Sequence, residues 1–544
     1  MNEIIKVDIE KCVGCNACIR TCPASEANVV RVLPDGRTVI EVNSDRCITC
    51  GECIRNCMHG ARDYSDDTEK FFSDIAGTRD EVVIVVTPSI KATFNGVWRH
   101  VLEWFQQRYG IKNIFDVSLG ADICTWAHLK AIEENRVQNI ISQPCAAIVN
   151  YVQKYQHALI PNLSPVHSPI LCTVVYIKKY LNINKKIAVL SPCIAKKTEF
   201  MQTGLVDYNV TFEKLKKYFE NECVFFNNRG RSEFEFTDHQ GLVGSIYPRP
   251  GGLKDNLLLH NPELSVVNSE GVHRVYPELD EYSRVPDMCK PEVFDVLNCE
   301  FGCNVGPACG HSSPTFDVLS LMRDVEKGTK KKRSRQNLLG PDRQFKGFDK
   351  TLHLEDFTRG YVKMTSPIAD PDEDHLDEIY KSMNKYSKAD RSFNCHACGY
   401  LSCRQMAIAI YKKLNVKENC IWYAKHHMES ALDAVMLRQV QEMKKTISEQ
   451  SEQLAKNIER NIDISSTGMT RMKSVSKVIA QMLDFCGTDE HFEELSSALT
   501  QISKLMTILL SDTEGIISNE KAAKELADGI TQNAQKFIEL VTAK

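Results

Sequence analysis

Two short runs, Glu81 to Val86 and Lys186 to Leu190, are apolar at nearly every position rather than alternating with polar residues. That pattern predicts strands buried on both faces of a parallel sheet. Between them Trp98 to Tyr109 and Ile170 to Leu181 repeat apolar residues at helical intervals, so this stretch reads as α/β. A third, shorter run ends at Ile141. Each run stops in a turn: Thr87-Pro88-Ser89, Gln143-Pro144-Cys145 and Ser191-Pro192-Cys193. Residues just past the carboxyl ends of parallel strands face the crevice where such sheets bind ligands, so these turns predict a site. Beyond residue 424 there is no proline and almost no strand pattern. Two helical seams are expected there, one through Val440, Met443, Ile447, Leu454 and Ile458, the other through Phe492, Leu495, Leu499, Ile502, Met506 and Leu509.

Composition sharpens this outline mainly through cysteine. The chain of 544 residues carries 22 cysteines, with 43% hydrophobic and 25% charged residues and a net charge of -4. No apolar run approaches the ~20 residues needed to cross a bilayer, and the opening Met1 to Val7 has no signal-peptide core, so the expectation is a cytoplasmic protein. In a reducing compartment so many thiols predict metal ligands rather than disulfides. The charge balance predicts no general affinity for nucleic acid or membrane. The run Lys330 to Arg335 reads as a solvated loop beside Gly328.

Cysteine spacing also draws the domains: 1–75, 80–370, 376–437 and 438–544. In the first, Cys12-x2-Cys15-x2-Cys18-x3-Cys22 and Cys47-x2-Cys50-x2-Cys53-x3-Cys57 have the spacing that wraps two 4Fe-4S cubanes. Each fourth cysteine reaches the other cluster in such modules, which pairs Cys12, Cys15 and Cys18 with Cys57, and Cys47, Cys50 and Cys53 with Cys22. Zinc knuckles or disulfides fit this repeated pattern poorly. In the second segment Cys299 and Cys303 lie one helical turn apart, and with Cys145 and Cys193 they could converge on one further cubane. In the third, Cys395, Cys398 and Cys403 with Cys420 make workable cubane geometry, zinc being the alternative.

At these residues the chain resembles FeFe-hydrogenases. The signature elements are Gln143 to Tyr151, Ser191-Pro192-Cys193-Ile194-Ala195-Lys196-Lys197-Thr198-Glu199, and Cys299 to Gly306, the second being the closest, with Ser168-Pro169 and Pro250-Gly251-Gly252 as further elements. The resemblance covers about residues 1–370. It implies an H-domain of α/β fold behind an N-terminal α+β two-cluster ferredoxin domain, followed here by a small α-helical 4Fe-4S domain and an all-α, coiled-coil segment. It also implies an H-cluster, a 4Fe-4S cubane joined through one cysteine to a diiron unit carrying CO, cyanide and an azadithiolate. Carried across, Cys145, Cys193, Cys299 and Cys303 hold the cubane and Cys303 bridges to the diiron unit. Lys196, Pro88, Ser89 and Ser168 would meet the cyanide and dithiolate. The third segment resembles the single-cubane domain of corrinoid iron–sulfur proteins.

The departures carry as much weight. Fast members of the family relay protons through a cysteine immediately before the first cubane ligand, where this chain has Pro144, which holds no ionisable group. Ser191 stands where those enzymes have methionine, and the acidic residue of the helix after Asp122 becomes apolar, in an approximate alignment Ala131. Glu199 is retained, without placeable partners. Cys309 could serve as a relay substitute or be structural, while Cys124, Cys172, Cys223, Cys289 and Cys486 read as buried small hydrophobes. These features resemble sensory-type FeFe-hydrogenases. They imply slow, reversible H2 oxidation at an H-cluster, with electrons or a conformational signal passing through the 4Fe-4S clusters to a redox or signalling partner, and a homodimer formed by the C-terminal helices. The alternatives are a catalytic hydrogenase serving a ferredoxin or reductase, and a non-catalytic iron–sulfur protein without the diiron unit.

Overall fold

The computed structural model describes residues 3–459, apart from residues 143, 228–229, 311–314, 338–342 and 367, together with short helical stretches between 474 and 536. It divides into two compact units, residues 1–423 and 424–544.

The first unit opens with four short strands, β1 (Ile5–Val7), β2 (Asn28–Val32), β3 (Thr38–Val42) and β4 (Arg62–Tyr64). β1 pairs antiparallel with β4, and β2 with β3. Two four-residue helices, Ala17–Arg20 and Glu52–Arg55, carry Cys18 and Cys53 between them, completing an α+β module.

Seven parallel strands follow in two sheets. β5 (Val82–Val86), β6 (Ile114–Asp116), β8 (Lys186–Ser191) and β9 (Tyr208–Thr211) run in the order β6-β5-β8-β9. The others, β7 (Ile140–Ile141), β10 (Val266–Glu270) and β11 (Val293–Leu297), run in the order β10-β11-β7. The all-apolar reading of β5 has a direct cause. Val82, Ile84 and Val86 pack with Val101, Leu102 and Phe105 of helix Trp98–Tyr109. Val83 and Val85 point the other way, onto Ile170, Leu171 and Val174 of helix Pro169–Val175. A strand clothed by helices on both faces has no polar side to show, and each such valine contributes on the order of 1.5–3 kcal/mol by leaving water. The helix Pro169–Val175 continues as a π-helical turn, Tyr176–Tyr180.

The unit closes with helices Glu373–Ser382 and Cys403–Tyr411, which pack through Leu376, Tyr380, Cys403 and Ala407. This segment lies against the ferredoxin-like module: the Val30 amide donates to the Leu414 carbonyl at 2.9 Å, and Asn16 Nδ2 to the Ala397 carbonyl at 3.0 Å. Glu26, buried, pairs with both Lys412 at 3.0 Å and Arg46 at 2.9 Å.

The basic run corrects its expectation. Lys330 to Arg335 belongs to helix Thr315–Asn337 rather than a loop, because lysine and arginine are good helix formers and a single Gly328 costs only about 1 kcal/mol. In the second unit Ile447, Leu499 and Ile502 are buried, and Gln450 Oε1 accepts from Asn533 Nδ2 at 3.0 Å. Phe492, Leu495, Met506 and Leu509 of the C-terminal seam, and Cys486, lie outside the described residues, as does the side chain of Ile458. Among the described residues no helix is long and apolar enough to cross a membrane.

Candidate functional site

Four parallel strands aim their carboxyl ends at one place. β5 delivers Thr87-Pro88-Ser89, β7 delivers Pro144-Cys145, β8 delivers Ser191-Pro192-Cys193, and β11 delivers Asn298-Cys299. These residues, with Cys303 and Lys196, line one cavity of about 90 Å³, the volume of several water molecules. The wall is mostly apolar, completed by residues such as Pro169, Ile170 and Tyr247. Cys145 caps helix Ala146–Lys154, and Cys303 opens a short turn after Gly302. Gly302 has φ +78° and its missing Cβ would stand 2.3 Å from the Pro248 carbonyl oxygen, so only glycine lets Cys303 reach its position.

Burial governs the chemistry of the thiols. It pushes Cys193 up to about 11, and it raises Cys299 and Cys303 further, with the neighbouring cysteines adding to the effect. Four thiolates cannot share an apolar cavity unless a cationic centre compensates them, which is what an iron–sulfur core provides. Ser89 points the same way: it is fully buried, and its hydroxyl has no partner among the described residues. A polar group built into the wall of this cavity without a protein partner fits a bound group that accepts from it. The residues present therefore fit a cubane held by Cys145, Cys193, Cys299 and Cys303 with an attached polar complex.

Below the cavity lies an ionic network that the sequence did not reveal. Lys196 Nζ donates to Glu199 Oε2 at 2.6 Å, Ser168 Oγ donates to the same oxygen at 3.1 Å, and Arg359 Nη2 reaches Oε1 at 3.3 Å. Both Lys196 and Glu199 are buried. Burial alone would raise the Glu199 carboxyl, but Lys196 and Arg359 hold it below the ordinary range. Ser168 thus faces Glu199, and Lys196 is shared between that carboxylate and the cavity wall. Arg359 sits 160 residues downstream of Glu199 on an irregular segment, where no periodicity or spacing could have flagged it.

Ser191 donates to Asn209 Oδ1 at 2.9 Å, and Pro144 forms wall only. Cys309 is pinned by the Cys303 and Asn304 carbonyls, both 3.4 Å from its sulfur. Ala131 is buried in the core. Cys124 and Cys172 are buried as expected, but not in purely apolar company: both sulfurs lie close to the His167 carbonyl, at 3.3 and 3.2 Å. One turn from Cys124, His128 contacts the Cys124 carbonyl through Nδ1 and Ser164 Oγ through Nε2, each at 2.8 Å. The i, i+4 spacing of Cys124 and His128 on one helix was the available signal for this group. Cys223 and Cys289 are exposed rather than buried, since both fall at surface turns.

The cysteines outside the central domain gather around further cavities and clusters. Cys50 packs on the same alanine cluster as Cys145 and Cys193 and lines the same cavity. Cys22, Cys47, Cys50 and Cys53 surround a second small cavity. Cys12, Cys18 and Cys57 share an apolar cluster with Cys398 and Cys420, while Cys15 is exposed. Cys395, Cys398, Cys403 and Cys420 line a third cavity beside Lys385 and Trp422. Gly51 makes the junction with the central domain. At φ +82° its Cβ would lie 2.7 Å from Pro307 Cγ and 2.8 Å from Ile194 Cδ1. Among the described residues no three His, Cys, Asp or Glu side chains converge on a single point, as one metal ion requires; the cysteines enclose volumes.

Residues 80–307 match the family model described as iron only hydrogenase large subunit, C-terminal domain, and residues 11–61 match the 4Fe-4S dicluster domain. Among solved structures, one from a study of [FeFe]-hydrogenase oxygen inactivation is 16% identical, with a TM-score of 0.42, covering 55% of this chain and 99% of its own. A variant of the HydA1 [FeFe]-hydrogenase from Chlamydomonas reinhardtii is 15% identical, with a TM-score of 0.41 and the same coverage. An apo form of another HydA1 variant from that organism is 14% identical, with a TM-score of 0.42, covering 55% and 99%. No curated protein matches the chain.

Proposed function

We propose, from the match of residues 80–307 to the iron only hydrogenase large subunit family, that this chain senses hydrogen: it binds H2 and oxidises it slowly and reversibly, and holds or passes on the electrons. The observation that carries the reading is the cavity wall itself. Cys145, Cys193, Cys299, Cys303, Ser89 and Lys196 keep the means to hold the cluster, while Pro144 removes the group that would carry protons quickly. When bound, the H-cluster supplies the metal chemistry of splitting H2.

The protein's own share is positioning and access. Ser89 offers its free hydroxyl to a ligand of the diiron unit, and Lys196 offers its ammonium, held in place by Glu199. Pro88, Pro144, Pro169 and Pro192 keep the wall dry and rigid. A proline beside Cys145 neither donates nor accepts a proton, so exchange with solvent is slow and the charge state of the site persists long enough to be read. The clusters that Cys50 and its neighbours, Cys12 and Cys18, and Cys398 and Cys420 would hold would supply the redox chemistry for carrying electrons away from the cavity; Cys50 lines that cavity, and Cys12 and Cys18 share an apolar cluster with Cys398 and Cys420. The last site immediately precedes helix Ile421–Glu459, which suits a cytoplasmic sensor that hands a redox or conformational signal to a partner or a second copy of itself.

The test is infrared spectroscopy of the full chain matured with a synthetic diiron precursor, under argon and then hydrogen. Reversible shifts of the CO and cyanide bands with only feeble hydrogen evolution are expected. Vigorous turnover would favour the catalytic alternative, and absent bands would reduce the domain to a cubane carrier.

A further inference from the structure

Arg62 occupies an unusual place. It lies on β4, is 6% exposed, and points into the ferredoxin-like module. Nη2 approaches Cys18 Sγ at 3.2 Å, Asn28 Oδ1 at 3.1 Å and the Ile40 carbonyl at 2.9 Å. Nη1 is buried and has no partner, and among the described residues no carboxylate pairs with this guanidinium. A buried cation costs several kcal/mol unless an anion compensates it. Its neighbours are cysteines of both clusters: it contacts Cys18 of one and lines a small cavity with Cys22, Cys47, Cys50 and Cys53 of the other.

We propose that Arg62 is the internal counter-charge shared by the two N-terminal clusters, raising the reduction potentials of both and that of the Cys18 cluster most. The inference rests on the reading that these eight cysteines hold two 4Fe-4S clusters. Each cluster gains one negative charge when it takes up one electron. A fixed guanidinium between them, which cannot lose its proton, stabilises the reduced state of either. A hydrogen bond to a ligand sulfur acts in the same direction, and the close one, at 3.2 Å, is to Cys18. The result is a module that retains electrons arriving from the central site, which serves a reporter better than a fast conduit. Arg62 acts on the clusters through charge; it takes no part in bond making.

The test is an EPR-monitored redox titration of the full-length, cluster-reconstituted chain. Arg62→Gln should lower both midpoint potentials, the Cys18 cluster more, at unchanged iron and sulfide content, and Arg62→Lys should lie nearer the unsubstituted protein. Unchanged or raised potentials in Arg62→Gln at full iron content would overturn the proposal. Should that variant lose its clusters, the unsubstituted protein labelled with 15N-arginine decides. Nitrogen coupling from a guanidinium to one reduced cluster, seen by pulsed EPR, supports the assignment, and its absence overturns it. Iron analysis of the unsubstituted protein separates the two failures, because a chain lacking both N-terminal cluster signals overturns the cluster reading itself.

Discussion

Replacing Glu199 by glutamine tests the ionic network beneath the cavity. Glu199 is 2% exposed and compensates two cations, Lys196 at 2.6 Å and Arg359 at 3.3 Å. The substitution keeps the shape but leaves both cations buried without an anion. Removing one partner of a buried pair costs about 3–5 kcal/mol, mostly as the penalty of the charge left behind. For a domain of this size that is roughly 2 °C per kcal/mol, or a fall of about 6–10 °C in Tm. The pH dependence has a definite sign. The Glu199 carboxyl is held below its ordinary value in the folded chain, so its contribution is complete above the unfolded value of about 4.3 and is lost as pH falls through the folded one. Calorimetry of the anaerobic protein at pH 7 and near pH 4, at one scan rate, should show a wide gap between Glu199→Gln and the parent at pH 7 and a narrower one in acid. Salt at 0.5 M should leave the neutral gap largely intact, since a buried pair is little screened. A gap below about 1 kcal/mol, or one that widens in acid, would refute the reasoning.

Three further outcomes are expected. Pro144→Cys places a thiol beside Cys145 in the cavity wall and should raise hydrogen evolution of the matured protein by about 10²-fold, the low end of the range for general acid catalysis; an unchanged rate would show that proton supply is not limiting. Gly51→Ala forces a Cβ to 2.7 Å from Pro307 in a left-handed backbone, at about 1–2 kcal/mol for the conformation alone; stopped-flow absorbance should show slower electron transfer between the ferredoxin-like module and the central site at equal iron content, and an unaltered rate would count against this junction as the route. Glu26→Gln removes the anion shared by Arg46 and Lys412 and should weaken the docking of the Cys395–Cys420 segment by about 1–3 kcal/mol; faster hydrogen exchange at the Val30 amide, which donates to Leu414, is the readout, and unchanged protection would sink the idea.

What the sequence determined by itself was local. The unbroken apolar run at β5 specified a strand with helices on both faces, the helix Trp98–Tyr109 followed from its period, and proline turns marked where strands present residues to a crevice. The cysteine spacings picked out the loops that line the cavities of the N-terminal and 395–420 segments, since three thiols that are to cap one cluster have to lie within a few residues of each other. Tertiary structure alone decided everything that depends on residues distant in the chain. Arg359 finds Glu199, Arg62 finds Cys18, Glu26 finds Lys412, and Ser168 turns to a carboxylate. The basic run Lys330 to Arg335 became helix where its charge had suggested loop. The physical reason is common to these cases. A charge or hydroxyl at the surface needs no partner, so its position in sequence says nothing, and only burial compels it to find one; which elements bury it is settled by packing across the whole fold.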